Sequence, residues 1–247
     1  MLELDAWLEI AKSAALKGGK YLLENQGKEL KILFNQGRDI KLQLDIDTEQ
    51  LIKDSLKSQS TFSILGEETG LTNDVGEFYW VVDPLDGTSN FLRDIPISCV
   101  SIALMQKLQP ILGVIYDFNH DDLYFGHIES KAFVNQVEII VSDYSEKSKS
   151  TLVTGIPAKT NYSDNEFKNM IDDFQQWKKV RMIGSAAMAS IYVAAGKADT
   201  YKENGIFLWD IAAGAAIVNA AGGVASITNI QTDYRVDAIF TNQHLAS

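Results

Sequence analysis

An apolar strand that runs without a break into acid constrains this chain more than any other feature. Tyr79, Trp80, Val81 and Val82 are followed at once by Asp83, Pro84, Leu85, Asp86, Gly87 and Thr88, so a buried strand delivers two carboxylates to its own end. Pro84 fixes its own φ and donates no hydrogen bond, while Gly87 permits a positive φ or a close backbone approach, so a sharp turn is expected where the carboxylates sit. Thr88, Ser89 and Asn90 are all good helix N-caps. Strand, acidic turn and helix start would gather two carboxylates, several backbone N–H groups and a hydroxyl around one point, which suits a divalent cation holding a phosphate. An Asp-Pro turn with an Asp cap would account for a lone D-G-T. It does not account for W-V-V-D-P-L-D-G-T-S-N-F, residues 80–91, as a whole.

The rest of the chain can build a large core around that point. With 247 residues and 46% hydrophobic content it can form one large domain or two closely packed halves. Apolar positions recur at helical spacing from Leu4, Trp7 and Leu8 through Ala11, Ala14 and Ala15 to Leu22, which predicts a helix over residues 3–25 with Gly18 and Gly19 allowing close packing. A short strand is expected over 30–34, ended by Asn35, Gln36 and Gly37, and a second helix from near Asp45 or Asp47, with Ile52 and Leu56 on its apolar stripe. A strand over 62–65 ends at Gly66-Glu67-Glu68, again delivering acids. Residues 96–105, 110–118, 122–128 and 132–141 read as successive strands of an antiparallel sheet. The polar stretch 142–150 marks a boundary between an N-terminal α+β half, residues 1–142, and a C-terminal α/β half, residues 143–247, within one compact unit. The second half alternates strands at 152–154, 180–183, 199–201, 224–227 and 238–241 with helices at 163–177, 186–195 and 209–221.

Charge and composition exclude several functions. A formal charge of −11, from 22 basic and 33 acidic residues, disfavours nucleic acid or an anionic membrane as partner. Cys99 is the only cysteine, so no intrachain disulfide or cysteine-based zinc site can form, and it is expected to be buried packing. Acids stand near the N-terminus where a signal peptide needs basic residues, and no run approaches the length of a membrane span, so the expectation is a soluble cytoplasmic protein. His120, His127 and His244 fall outside the acidic motifs and are expected at the surface, which leaves carboxylates rather than imidazoles to carry any chemistry.

D-P-L-D-G-T-S-N-F at 83–91 resembles the first signature of the inositol monophosphatase family, the Mg²⁺-dependent, lithium-sensitive phosphatases. The family's second signature, W-D-x-A-x-G followed by an apolar run ending in A-G-G, is matched by Trp209, Asp210, Ile211, Ala212, Ala213 and Gly214 through Ala221, Gly222 and Gly223, and its G-E-E by Gly66, Glu67 and Glu68. Haloacid-dehalogenase phosphatases also carry D-G-T after a strand, but their two acids are two residues apart. Asp83 and Asp86 are three apart, the wrong register for that chemistry.

The resemblance implies a layered α/β/α/β/α sandwich and two or three Mg²⁺ ions. By the same resemblance Glu67, Asp83, Asp86, Asp210 and the Leu85 carbonyl hold metal, Thr88 and Glu67 activate water, and Gly87 and Thr88 offer N–H groups to phosphate. Two divalent cations would balance the charges of the four acids before an anionic substrate arrives. Glu68 reads as a solvated or supporting carboxylate. V-R-M-I-G-S-A-A and Y-K-E-N-G match the family's substrate-binding stretch, so Gly184, Ser185, Ala186 and Glu203 are expected to face a polyol ring, with Asp210 nearby. Where the family commonly reads D-x-V-T-x-x-D, this chain has Asp39 and Asp45 at the same spacing but Lys41-Leu42 in place of Val-Thr, and Phe34 where many members place a lid lysine. Asp45 is the candidate ligand of a third metal, and Lys31 or Lys41 could stand in for the lid lysine.

The function expected is Mg²⁺-dependent hydrolysis of inositol 1-phosphate or a similar polyol or sugar phosphate, by direct attack of water. A 3′(2′),5′-bisphosphate nucleotidase and a fructose-1,6-bisphosphatase are the alternatives within the enzyme class, and a catalytically silent regulatory module that binds metal and anion is the alternative outside it. A homodimer is also implied by the resemblance.

Overall fold

The computed structural model describes residues 3–36, 39–157 and 161–246, the side chains of Gln36 and Asp39 excepted. Gly37, expected to end the first strand, lies outside the described residues, as does the side chain of Asp39. The chain opens with α1 (Leu4–Asn25), an antiparallel pair β1 (Ile32–Gln36) and β2 (Asp39–Leu42), and α2 (Gln43–Lys57). There follow β3 (Ser63–Gly66), β4 (Gly70–Leu71), β5 (Phe78–Asp86), the short α3 (Thr88–Phe91), β6 (Cys99–Gln106), β7 (Gln109–Asp117), β8 (Asp122–His127), β9 (Ala132–Val134) and β10 (Val137–Ile139). The remainder comprises β11 (Thr151–Thr154), α4 (Asp164–Phe174), β12 (Lys179–Met182), α5 (Ala186–Ala194), β13 (Thr200–Phe207), α6 (Leu208–Ala220), β14 (Val224–Thr228) and β15 (Arg235–Thr241). No helix among the described residues is long and apolar enough to cross a membrane.

Two larger sheets carry these elements. An eight-stranded sheet runs β10-β9-β8-β7-β6-β5-β3-β4, and a five-stranded sheet runs β12-β11-β13-β15-β14. The unbroken apolar run of β5 has a simple cause, because both faces of this strand are covered. Tyr79 and Val81 point into a core shared with α5, α6 and the second sheet, while Trp80 and Val82 point into a core shared with α1 and α2. Beyond the second sheet lies α4, whose Met170 and Phe174 border a cavity together with Lys202 and Arg235 of the strands. The layers are therefore α1/α2, eight strands, α5/α6, five strands and α4, the α/β/α/β/α order expected.

The middle helices are buried nearly all round, and small residues keep the layers close. A Cβ at Gly113 on β7 would overlap the backbone of Ala213 on α6, one at Gly126 on β8 would press Ala220, and one at Gly214 would overlap Ser190 of α5. The N-terminus of α6, which carries Asp210, is thus set against the first sheet by direct backbone packing.

Several boundaries differ from those read in the sequence, each for a physical reason. β5 does not stop at Val82 but continues to Asp86; Asp83 pairs with Ser101 and Asp86 with Cys99, so one extra residue is accommodated in a β-bulge. Residues 132–141 form two short strands rather than one, because Asn135 adopts a positive φ of 53° and turns the chain back. β13 extends to Phe207 across an irregularity at Gly205, which places Glu203 in a strand rather than a turn. α2 begins at Gln43, before the expected start, since Asp45 in its first turn accepts the Leu42 N–H at 2.9 Å. His127 is not at the surface: it is buried and lies 3.1 Å from Asp5.

Candidate active site

Three elements distant in sequence bring their acids to one point. Glu67 follows β3, Asp83 lies at the bulge of β5 and Asp210 sits in the first turn of α6, and one carboxylate oxygen from each lies within 4.8 Å of the others. They open into a cavity of about 300 Å³ that is also lined by Leu85, Asp86, Gly87, Thr88, Gly184, Ser185, Ala186 and Glu203. Every residue expected to hold metal, activate water or bind substrate lines this cavity except Asp45, and neither Lys31 nor Lys41, the candidate substitutes for a lid lysine, lines it.

Local hydrogen bonds explain how each side chain is aimed. Asp83 accepts the Leu85 N–H at 3.0 Å, which folds the bulge over its own carboxylate. Asp86 accepts the Ser185 hydroxyl at 2.5 Å and the Ala187 N–H at 2.7 Å, so the start of α5 is tied to the acidic turn. Both bonds reach the same oxygen of Asp86, and the sulfur of buried Cys99 is 4.0 Å from it. Gly87 has φ 88°, and a Cβ there would meet the Ile97 carbonyl, so only glycine fits. The Thr88 hydroxyl donates to the Leu85 carbonyl at 3.1 Å. Asp210 accepts the Phe207 N–H at 3.3 Å, and Glu203 accepts the Tyr201 hydroxyl at 3.0 Å.

Burial and mutual repulsion decide the charge state of this cluster. Burial first, and then the neighbouring acids, raise Asp83 and Asp210 well above the ordinary carboxylate range. Burial and the adjacent Glu68 push Glu67 up to about 8. Asp86 is raised by burial to about 6, the donors from Ser185 and Ala187 offsetting part of the effect, and burial raises Glu203 to about 7. Such a set of crowded, mutually repelling oxygen donors fits a hard divalent cation such as Mg²⁺.

Asp45 stands apart. One of its oxygens holds the Leu42 N–H, the other is buried with no hydrogen-bond partner among the described residues, and burial raises its pKa to about 7. Glu68 is not solvated: its side chain is 4% exposed and pairs with Lys41 Nζ at 3.0 Å. Lys41 therefore brings a positive charge to the edge of the acidic cluster, where its field favours the ionised forms of Glu67 and Asp45.

Two contributors were not singled out from the sequence as site residues. Asn90, expected only as an N-cap candidate, lies inside α3 and donates to the carbonyls of Ile97 and Ile183, each at 2.8 Å, fixing the loop before Gly184. Gly184 itself has φ 76° with Asn90 against it. Tyr201 is wholly buried and reaches Glu203 two residues along the same face of β13. The i, i+2 spacing of Tyr201 and Glu203 was the available signal, once the segment is known to be a strand.

Comparison with known proteins agrees with this geometry. Residues 3–243 match the model of the inositol monophosphatase family. An inositol-1-monophosphatase of Synechocystis is 38% identical over 229 residues, covering 91% of this chain and 79% of that protein. A fructose-1,6-bisphosphatase/inositol-1-monophosphatase of Aquifex aeolicus is 35% identical, covering 92% of this chain and 88% of that protein. Among solved structures, the extragenic suppressor protein suhB of Bartonella henselae superposes with a TM-score of 0.86 at 30% identity, covering 97% of this chain and 95% of that one. With its carboxylates converged at the end of β5 and nearly its whole length matched, the chain belongs to the inositol monophosphatase family.

Proposed function

We propose that this protein is a Mg²⁺-dependent phosphomonoesterase acting on inositol 1-phosphate or a closely similar polyol phosphate. The observation that carries this reading is the meeting of Glu67, Asp83 and Asp210 within 4.8 Å, in a cavity that is also lined by Glu203 and the Gly184 loop. Glu67, Asp83, Asp86, Asp210 and the Leu85 carbonyl would hold two Mg²⁺ ions, with Asp45 a candidate for a third. Bound there, Mg²⁺ supplies charge neutralisation for the phosphate and a lowered pKa for water. Thr88, whose own proton goes to Leu85, has lone pairs left to accept a hydrogen bond from the attacking water, and Glu67 can take its proton. The N–H groups of Gly87 and Thr88 would orient phosphate oxygens for in-line attack, with no phosphoenzyme formed. The protein is taken to act in the cytoplasm as a homodimer, and gel filtration giving a 27.4 kDa species at all concentrations would exclude the dimer.

The raised carboxylates set a sign for metal binding. Between pH 8 and pH 6, spanning the values of about 8 for Glu67 and about 6 for Asp86, protons held by the cluster must leave before a cation is bound. Apparent Mg²⁺ affinity should therefore weaken as pH falls, with more protons released per ion at pH 6 than at pH 8. Titration calorimetry in two buffers of different ionisation enthalpy measures both quantities, and an affinity constant across this range would remove the cluster as the cation site.

Glu203 is proposed to read the polyol. Replacing it by Ala should lower kcat/KM for inositol 1-phosphate by about 10- to 100-fold, the effect of losing a hydrogen bond to a charged group. Hydrolysis of p-nitrophenyl phosphate, which has no ring hydroxyls, should change little. An equal loss on both substrates would assign Glu203 to the metal centre instead. One observation favours a second reading toward bisphosphates: a neighbouring cavity of about 440 Å³ shares Thr154, Gly155 and Glu203 with the first and carries Lys202 and Arg235. A panel of inositol 1-phosphate, fructose 1,6-bisphosphate and adenosine 3′,5′-bisphosphate decides between them.

A further inference from the structure

The acid of the site that most needs holding is Glu67. It stands at the tip of the β3–β4 hairpin, and β4 is a two-residue strand at the edge of the eight-stranded sheet. Its backbone N–H reaches Val82 at 3.1 Å, which fixes one side of the turn. Edge hairpins with so few ladder bonds open readily, and the charges of Glu68 and Asp45 bear on the Glu67 carboxylate at its tip.

A buried carboxylate from another element grips the same turn. Glu49 on α2 has no exposed surface, and its two oxygens accept the Glu68 N–H at 2.8 Å and the Thr69 hydroxyl at 2.5 Å. Lys53, one helical turn on and also buried, lies 3.4 Å from Glu49 and hydrogen-bonds the Thr69 hydroxyl too. Gly66 completes the arrangement, since a Cβ there would collide with the Glu49 carboxylate. Glu49 thus touches the chain on both sides of Glu67. Lys53 balances its charge, so the brace adds no net negative charge beside the acidic cluster.

We propose that Glu49, neutralised by Lys53, is a positioning residue that holds the 66–69 turn so that Glu67 stays within reach of a shared cation. This rests on the cation-binding reading of the site and goes beyond it, because neither Glu49 nor Lys53 touches the cavity.

The test is Mn²⁺ binding to the full chain, followed by electron paramagnetic resonance without substrate, together with the Mg²⁺ dependence of phosphate release. Glu49→Gln should weaken Mn²⁺ binding by about tenfold, as loss of a group that orients a metal ligand does. The Mg²⁺ concentration giving half-maximal rate should rise by a similar factor, with kcat at saturating Mg²⁺ changed by less than about threefold. Glu49→Leu combined with Lys53→Met leaves no unpaired buried charge, so it separates positioning from charge balance. It too should lose Mn²⁺ affinity, and wild-type affinity in this double variant overturns the proposal. Thr69→Val, at an exposed position, deletes the hydroxyl that bonds both Glu49 and Lys53 and carries the test if both buried variants fail to fold; an unchanged affinity there also overturns it. A wild-type protein that binds no Mn²⁺ would overturn the cation reading itself, an outcome distinct from variants that bind as well as wild type.

Discussion

Asp83→Asn is expected to lower kcat by about 10³-fold, roughly 4 kcal/mol of transition-state stabilisation, while making the metal-free protein more resistant to heat. Asparagine keeps the shape and can still accept the Leu85 N–H, so the bulge of β5 has no reason to change. The change removes a charge buried among Glu67, Asp86 and Asp210. The sign of the stability effect follows from proton linkage. Because the Asp83 pKa is raised in the folded state, that state binds more protons than the unfolded chain at pH values above the ordinary carboxylate value of 3.8. Metal-free stability therefore declines as pH rises through that window, and removing the group abolishes its share of the decline. Saturating Mg²⁺ should reverse the order, since a cation that binds only the folded state stabilises wild type more than a variant lacking a ligand. Thermal unfolding of both proteins in chelator and in Mg²⁺ at pH 8, beside phosphate release, gives the four values needed. A variant retaining activity within about tenfold, or one less stable than wild type in chelator, would contradict this account of the cluster.

Gly113→Ala should damage the site from a distance. The added Cβ would overlap the Ala213 backbone, which has no flexible end to move aside, so α6 must shift away from β7. Overpacking of this kind costs about 3 kcal/mol, the upper part of the usual range, and in a chain of this size lowers Tm by roughly 6–12 °C. Because Asp210 lies three residues before Ala213 on the same helix, the shift also draws one acid away from Glu67 and Asp83. A displacement near 1 Å would reduce kcat/KM by about 10²-fold even at temperatures where the variant is folded. Gly76→Ala serves as the control, since a Cβ there meets only the Phe78 carbonyl at 3.7 Å and stability should change by less than about 0.5 kcal/mol. Unfolding curves with activity assays below the transition test both parts; a variant that loses stability but keeps full activity would mean that α6 adjusts without moving Asp210.

The parts of this protein that were legible in its sequence are those whose cause lies within a few residues. Two-sided burial writes β5 as an unbroken apolar run, helical spacing writes α1, and the order of Glu67, Asp83, Asp86 and Asp210 on two strand ends and a helix start is explicit in the chain. Local chemistry also marked Gly87, where the backbone has no room for a side chain. What lay beyond reach were contacts between residues far apart: the bond from Asp86 to Ser185, the Asn90 amide on the Ile183 carbonyl, and the grip of Glu49 on the Glu68 N–H. Even the bulge that seats Asp83 depends on how β6 pairs with it, and the strand identity of Glu203 depends on its ladder with β15. Hydrophobic periodicity reports which face of an element is buried, but it is silent on what is buried against that face. Sequence therefore determined which carboxylates this protein has and the elements that present them, and tertiary packing alone decided which of them meet, because pairing across layers is selected by shape and charge compensation between segments that no local window contains.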